Sequence, residues 1–328
     1  MTIHTVVIGA RGYTGSELLP LLLAHPHCEI DAVGSVGGAG QAVGNHIESM
    51  ADSDLKFTAI RPQDLPAHPA DLYFLALPNG HAEAYVEVIE ALCPAAVVID
   101  LSADYRFDDR WVYGQPERFS ARIAGAKRIA NPGCYATGIQ LALAPIIDIL
   151  ATTPVAFGVS GYSGAGKTPS RKNDRAILQD NLLPYALTDH VHEREATRHL
   201  QQEIRFLPHV APFFRGISLT LAVECSEKLQ LDSLLSRYRN FYRQCELVTV
   251  QSEIPEVAVV RGSHHIIIGG FTVGEADSRR LSLVCVLDNL LKGAATQAVQ
   301  NMNLAFNLPL LSGLGTKLAE VRDGRNYE

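Results

Sequence analysis

The sequence predicts an α/β protein in two parts: a Rossmann-type parallel-sheet domain, then an α+β domain with a mixed or antiparallel sheet. Three observations carry this. Short β-rich runs alternate with helical stretches before Cys134, as βαβ units require. A glycine-spaced turn joins the first run to the first helix. Beyond Cys134 the β-rich runs lengthen, and their periodicity has the habit of a mixed or antiparallel sheet with helices on one face.

In order, Thr5–Ile8 reads as a strand, Gly9–Gly15 as the turn, Ser16–Leu23 as a helix and Glu29–Val33 as a second strand. Asp71–Leu77 and Ala95–Asp100 are apolar runs of strand length, each followed by polar loop residues. Ligands of parallel sheets gather just past the strand C-termini, so these tails are where chemistry is sought. Residues 139–150 read as an apolar helix. Val155–Ser160, Gly216–Cys225, His264–Val273 and Arg280–Leu287 are the longer strands, and Asn289–Asn307 closes the pattern as a helix.

Composition narrows the function. A length of 328 residues suits two domains, and 47% hydrophobic against 19% charged residues is the balance of a globular protein with a large core. The formal charge of −7 argues against a nucleic-acid partner, which needs a basic face. No apolar run reaches the ~18 residues of a membrane span, and Met1–Thr5 lacks a basic leader, so no membrane partner and no signal peptide are expected. The six cysteines are scattered without metal-ligand spacing, which suits a reducing, cytoplasmic setting and no metal site.

Gly9-Ala10-Arg11-Gly12-Tyr13-Thr14-Gly15 is a variant of the dinucleotide fingerprint. Its glycines allow a tight turn and close approach to a pyrophosphate, and the helix start behind it supplies N–H groups and a positive dipole end. The second strand ends at Gly34-Ser35 with no carboxylate at its tip, where an acidic residue would bind an NAD ribose. That absence tilts the cofactor to NADP(H), with Arg11 and Ser35 as partners for the 2′-phosphate.

Cys134 follows Asn131-Pro132-Gly133 and starts a helix, a position that lowers a thiol's pKa and favours the nucleophilic thiolate. Cys28, Cys93, Cys225 and Cys285 read instead as small buried hydrophobes. His190 and His192 are candidates for the proton transfer a cysteine nucleophile needs, worth roughly 10²–10⁴ in rate. Gly161-Tyr-Ser163-Gly164-Ala-Gly166-Lys167-Thr168 matches a P-loop and follows a strand, but Pro169 and the polar residues after it make a poor helix start, so an NTPase is the lesser alternative.

Seven segments stand in order along the chain: Gly9–Gly15, Leu75–His81, Asp100–Arg106, Asn131–Thr137, Ser160–Gly166, Phe214–Ile217 and Asp288–Ala295. Together they resemble the N-acetyl-γ-glutamyl-phosphate reductases, the arginine-biosynthesis branch of the semialdehyde dehydrogenase superfamily. The resemblance implies a semialdehyde-dehydrogenase/GAPDH-like fold, with 1–133 and 289–328 as the dinucleotide-binding domain and 134–288 as the catalytic and dimerisation domain. It implies NADPH-dependent reduction of an acyl phosphate through a thioester on Cys134, with His192, and His190 beside it, supplying the proton. Leu77, Pro78, Ser163, Gly164 and Asn289 fall in matching motifs as cofactor contacts. Ser102, Arg106, Asn131 and Arg215 fall there as substrate contacts, and a homodimer or homotetramer is implied.

Three departures stand out. Tyr135-Ala136-Thr137 lacks the family's proline, His190-Val191-His192 lacks its central arginine, and Lys167–Lys172 carries an extra basic cluster. They bear on the acyl cap and chain length, where N-succinyl, aminoadipyl or aspartyl analogues are the alternatives, and leave the reaction type unchanged.

Overall fold

The structure, a computed structural model, describes residues 1–315; the terminal residues 316–328, which the sequence assigns to the first domain, lie outside the described residues. Backbone contacts group the chain into two compact units, Met1–Gly133 with Ala294–Gly315, and Cys134–Gly293.

The first unit holds β1 (Ile3–Ile8), α1 (Tyr13–Leu23), β2 (Cys28–Gly34), β3 (Phe57–Thr58), β4 (Leu72–Leu75), α2 (Glu83–Leu92), β5 (Val97–Asp100), β6 (Val112–Tyr113), α3 (Pro116–Ile123) and β7 (Arg128–Ala130). Its seven strands form one sheet in the order β3-β2-β1-β4-β5-β7-β6, and every pair is parallel. β4 and β5 are buried along their whole length, as strands covered on both faces must be. On one side Tyr85, Val86 and Ile89 of α2 pack with Val6, Ile8, Tyr73, Leu75 and Val98. Each side chain so buried contributes roughly 1.5–3 kcal/mol. The strand order reverses between β1 and β4, which is where an open parallel sheet leaves its ligand crevice.

The second unit holds α4 (Cys134–Leu143), β8 (Val155–Gly161), α5 (Arg175–Leu178), β9 (Leu183–Pro184), α6 (Val191–Leu200), β10 (Arg205–Ala211), β11 (Ile217–Glu224), α7 (Leu231–Phe241), β12 (Val248–Val250), β13 (Ile266–Val273) and β14 (Arg280–Leu287). Its sheet runs β12-β13-β14-β11-β8-β10-β9. Two pairs are parallel, β8 with β10 and β12 with β13, and the others antiparallel, so the sheet is mixed. In β11, Leu219, Leu221 and Val223 point to the core while Thr220 and Ala222 are exposed, so the period of two puts the helices on one face. The expected fold class is what the structure has.

Two helices differ from the pattern. The apolar helix expected over 139–150 starts at Cys134 and ends at Leu143, passing into a tight 3₁₀ segment over Ala144–Ile149. Pro145 is the reason, because it has no N–H for an α-helical bond and its ring clashes with the preceding turn. The closing helix starts as a widened π-type turn over Leu291–Ala295, and only α8 (Thr296–Ala305) is regular, packing with α1, α3 and β5.

Candidate active site

Gly9 has φ +84°, and a Cβ there would sit 2.3 Å from the Ala76 carbonyl oxygen. Only glycine lets the end of β1 pass the end of β4 so closely, with Leu77 N 3.2 Å from the same point. A Cβ on Gly15 would lie 2.6 Å from Ala10 Cα, so this glycine seats α1 against the turn. Gly12 is the extended residue before α1 and would meet only the Gly9 carbonyl, at 3.5 Å. The start of α1 behind this turn supplies the helix-terminal N–H groups and positive dipole end that a pyrophosphate requires. At the tip of β2, Arg11 donates to the Gly37 carbonyl at 2.7 Å. A Cβ on Gly38 would touch both Arg11 Cδ (2.6 Å) and Ser35 Oγ (3.3 Å), so the two expected 2′-phosphate partners flank one glycine. The turn therefore fits a dinucleotide.

Past β4 and β5 the loops are stitched together by side chains. Asp104 accepts from Gly80 N at 2.7 Å and Ala82 N at 3.0 Å, and Asn79 accepts from Ala103 N at 3.0 Å. This fixes the segment that carries Leu77 and Pro78. Ser102 Oγ donates to Asp100 at 2.7 Å and accepts from Asp104 N at 3.1 Å. Burial raises the Asp100 carboxyl to about 6, against the Ser102 hydrogen bonds and the Arg106 charge that pull it down. Arg106 donates to the carbonyls of Asn131 (2.9 Å) and Leu101 (3.0 Å). Asn131 accepts from Asn301 Nδ2 at 2.9 Å and donates to the Ala294 carbonyl at 3.3 Å. The Ser102 and Asn131 side chains thus serve the fold, with both amide ends of Asn131 engaged inside it.

In the second unit, Cys134 is the first residue of α4 and half-buried, while every later residue of that helix is buried. A Cβ on Gly293 would lie 2.7 Å from Cys134 Cβ, so only glycine fits beside it. The helix dipole favours the thiolate at this end, and no acidic residue occupies the first turn to oppose it. By contrast Cys225 and Cys285 are fully buried and burial pushes both thiols up; Cys28, half-buried, is pushed to about 11, chiefly by desolvation. Cys225 and Cys285 are thus the buried thiols expected, whereas Cys28 and Cys93 are only half-buried.

Tyr135 is buried and donates to the His209 carbonyl at 2.8 Å. Its ring lies 6.0 Å from His192 and 6.5 Å from His190, so the structure brings both expected histidines beside the residue following Cys134. His190 caps α6: its Nδ1 accepts from the His192 N–H at 3.1 Å. Burial first, then the Lys172 and Arg194 charges, hold His190 down to about 4, so near neutrality its ring is uncharged with the proton on Nε2. Glu193 ties the start of the helix by accepting from Asp189 N at 3.0 Å and Phe206 N at 2.7 Å.

The second glycine loop runs along residues 213–216. Tyr162 N and Ser163 N donate to the Phe213 and Phe214 carbonyls, both at 3.0 Å. A Cβ on Gly164 would meet Ser160 Oγ at 2.9 Å. Asn289 donates to Ser163 Oγ at 2.9 Å and accepts from Gly216 N at 2.7 Å, so it holds this loop to the next. Arg215 forks onto Asp288 through Nε at 2.6 Å and Nη2 at 3.1 Å. Asp288 is fully buried and also accepts from the N–H groups of Gly262, Leu290 and Leu291. Outside these groups, His4, Glu29 and Asp31 bring metal-type donor atoms within 4.8 Å of one another on the exposed ends of β1 and β2.

Two family models cover this architecture: the semialdehyde dehydrogenase NAD binding domain matches residues 4–126, and the semialdehyde dehydrogenase dimerisation domain residues 134–289. An N-acetyl-gamma-glutamyl-phosphate reductase of Xanthomonas oryzae pv. oryzae is 48% identical over 318 residues, covering 96% of this chain and 100% of that protein. The chain belongs to the N-acetyl-γ-glutamyl-phosphate reductase branch of the semialdehyde dehydrogenases. The reductase of the same name from Xylella fastidiosa (strain M23) is 48% identical over 308 residues, 94% of each chain. In fold the chain is similar to aspartate semialdehyde dehydrogenase II of Vibrio cholerae, with a TM-score of 0.74 at 18% identity over 94% of this chain and 99% of that one. A probable aspartate-semialdehyde dehydrogenase of Pseudomonas aeruginosa gives 0.72 at 21%, over 93% and 99%.

Within this branch of the family, the geometry brings forward two residues that sequence reasoning passed over, Asp288 and Tyr185, and one, Lys172, that it noted only as part of a basic cluster. Asp288, at the head of a recognised motif, orients Arg215; a lone aspartate after a long apolar strand was the available signal. Tyr185 and Lys172 flank the histidines from a different loop, and nothing in their spacing announces it.

Proposed function

We propose that this protein reduces N-acetyl-γ-glutamyl phosphate to N-acetylglutamate semialdehyde with release of phosphate, drawing on NADPH, as a step of arginine biosynthesis. The observation that carries the reading is Cys134 at the first position of a buried helix, with the histidine pair beside Tyr135. Its thiolate attacks the γ-carbonyl carbon; the carbon–oxygen bond to phosphate breaks and a thioester remains on Cys134. His192 holds the proton that the departing phosphate takes up, and His190, whose Nδ1 is occupied by the His192 N–H, positions it. The Gly9–Gly15 turn would hold NADPH, with Arg11 and Ser35 at its 2′-phosphate, and the chemistry it would supply is the hydride that takes the thioester to the aldehyde level. The carbon–sulfur bond then breaks, releasing the semialdehyde and returning Cys134 as thiolate. Arg106 and Arg215 serve the substrate's anionic groups, and Asp288 sets the plane of Arg215.

We also read the protein as a self-associating enzyme, a homodimer or homotetramer, in a reducing cytoplasm. Support for the first is the uncovered face of the mixed sheet. There Leu207, Phe157, Thr220 and Val284 line up across four strands, with Phe157 37% exposed. Support for the second is that all six cysteines are free thiols, and that no helix among the described residues is long and apolar enough to cross a membrane.

The test follows NADP⁺ reduction by N-acetylglutamate semialdehyde with phosphate, and then with arsenate in its place. Turnover that requires the anion and drops at least about 10³-fold in Cys134→Ser, with NADPH binding retained, is expected. Activity retained in Cys134→Ser removes it as the nucleophile; turnover only with the aspartyl or aminoadipyl semialdehyde replaces the substrate.

A further inference from the structure

The loop after Gly166 carries four cations, Lys167, Arg171, Lys172 and Arg175, and the structure treats one of them differently. Lys167, Arg171 and Arg175 are exposed, whereas Lys172 is half-buried. Its Nζ sits 4.8 Å above the centre of the Tyr185 ring, and that ring packs edge-on against His190 at 5.5 Å. His190 in turn lies 4.9 Å from His192. The backbone on either side of Lys172 is fixed. Asn173 donates to the Gly166 and Thr168 carbonyls at 2.8 and 2.7 Å and accepts from Ser170 N at 2.8 Å, while Asp174 caps the following turn at Ala176 N. Among the described residues no carboxylate lies within ion-pair distance of Lys172.

An ammonium held on an aromatic platform, with its stem half-buried and no acidic partner, is prepared for an anion that comes and goes. The place matters as much as the charge. Lys172 stands beside the histidines that flank Tyr135, hence on the side of the second unit where the residue after the nucleophile is found. The anion that must be gripped near the nucleophile is the leaving group, whereas the substrate's α-carboxylate is three carbons from the reacting carbonyl. We propose that Lys172, set by the Asn173 clip and the Tyr185 ring, is a specificity-determining residue that binds the phosphoryl group of the acyl phosphate. This rests on the acyl-phosphate reductase reading above.

The reverse reaction separates the substrate's anions, because phosphate and the semialdehyde then enter as different molecules. KM values for inorganic phosphate, semialdehyde and NADP⁺ are measured for the wild type, Lys172→Met, Lys172→Arg and, as an exposed control, Arg171→Met. Lys172→Met is expected to raise the phosphate KM about tenfold while the semialdehyde and NADP⁺ values stay within about twofold, with Lys172→Arg recovering part of the loss and Arg171→Met none of it. An unchanged phosphate KM in Lys172→Met overturns the proposal, as does a rise confined to the semialdehyde, which would place the α-carboxylate there. Failure of the wild type to turn over the semialdehyde at all sinks the functional reading instead, so the two failures are distinct. Unaltered NADPH binding by Lys172→Met shows that the variant is folded.

Discussion

Gly9–Gly15 and Gly161–Gly166 both leave a strand, both carry glycines at the spacing of a phosphate cradle, and both sit in recognisable motifs. They end differently. The first opens directly into α1, so the positive end of an eleven-residue helix stands just behind Gly12. The second turns once, crosses Gly166 at φ +75°, and meets no helix at Lys167; its N–H groups at Tyr162 and Ser163 are spent on the Phe213 and Phe214 carbonyls. Glycine spacing permits close approach of a ligand, but the helix that follows is what makes an anion site. The second loop instead places Lys172 on Tyr185, a cation supplied by a side chain where the first loop supplies backbone dipoles.

The sharpest way to break this comparison is to add one methyl group to each loop. Gly9→Ala forces a Cβ to 2.3 Å from the Ala76 oxygen at a φ of +84°, and should cost about 3 kcal/mol or more and abolish NADPH binding. Gly166→Ala meets nothing within 4 Å, and only its φ of +75° opposes it, so about 1 kcal/mol and unchanged cofactor affinity are expected. Denaturant unfolding with nucleotide-fluorescence titration reads both. Equal losses in the two variants would show that the loops are equivalent.

The same contrast marks how far the sequence could be read. The parallel sheet, the mixed sheet and the helix starting at Cys134 announce themselves through period, turn chemistry and position, because local physics decides them. β10 did not, since Pro208 and His209 interrupt its apolar run; it is a strand because β8 pairs along it, and the Pro208 carbonyl accepts from Tyr185 N. The motif residues show the second limit. Ser102 and Asn131 stand in segments where a substrate contact is expected, yet their polar atoms turn inward to Asp100, Asp104, Ala294 and Asn301. A motif gives residue identity, and only the fold tells which way an amide or hydroxyl points. Lys172 and Tyr185, with α5 and β9 between them in the chain, meet for the same reason.

A smaller effect sharpens the cofactor side. Arg11 and Ser35 flank Gly38 at the tip of β2 with no carboxylate there, which suits a 2′-phosphate. Ser35→Asp would set an anion against it and should weaken NADPH by about tenfold or more while leaving NADH within about twofold, measured by equilibrium titration. Equal weakening of both would assign Ser35 to the shape of the turn and not to the phosphate.

The smallest effect concerns the second loop and pH. His190 ordinarily titrates near 6.5 and is held down to about 4 in the fold, by burial first and by the Lys172 and Arg194 charges after it. The unfolded chain therefore takes up this proton before the folded one does. Stability from keeping His190 neutral is complete above pH 6.5 and is lost progressively as pH falls from 6.5 towards 4. Removing the charge in Lys172→Met should raise the folded value part of the way back, less than burial lowers it, and so shrink the acid-side loss. His190→Gln should remove that contribution altogether while keeping an acceptor for the His192 N–H. Chemical unfolding between pH 4 and 7 separates the three proteins, with the wild type steepest, Lys172→Met shallower and His190→Gln flattest. An acid limb unchanged in Lys172→Met would mean that its ammonium does not act on the histidine, and the second loop would lose the electrostatic role that distinguishes it from the first.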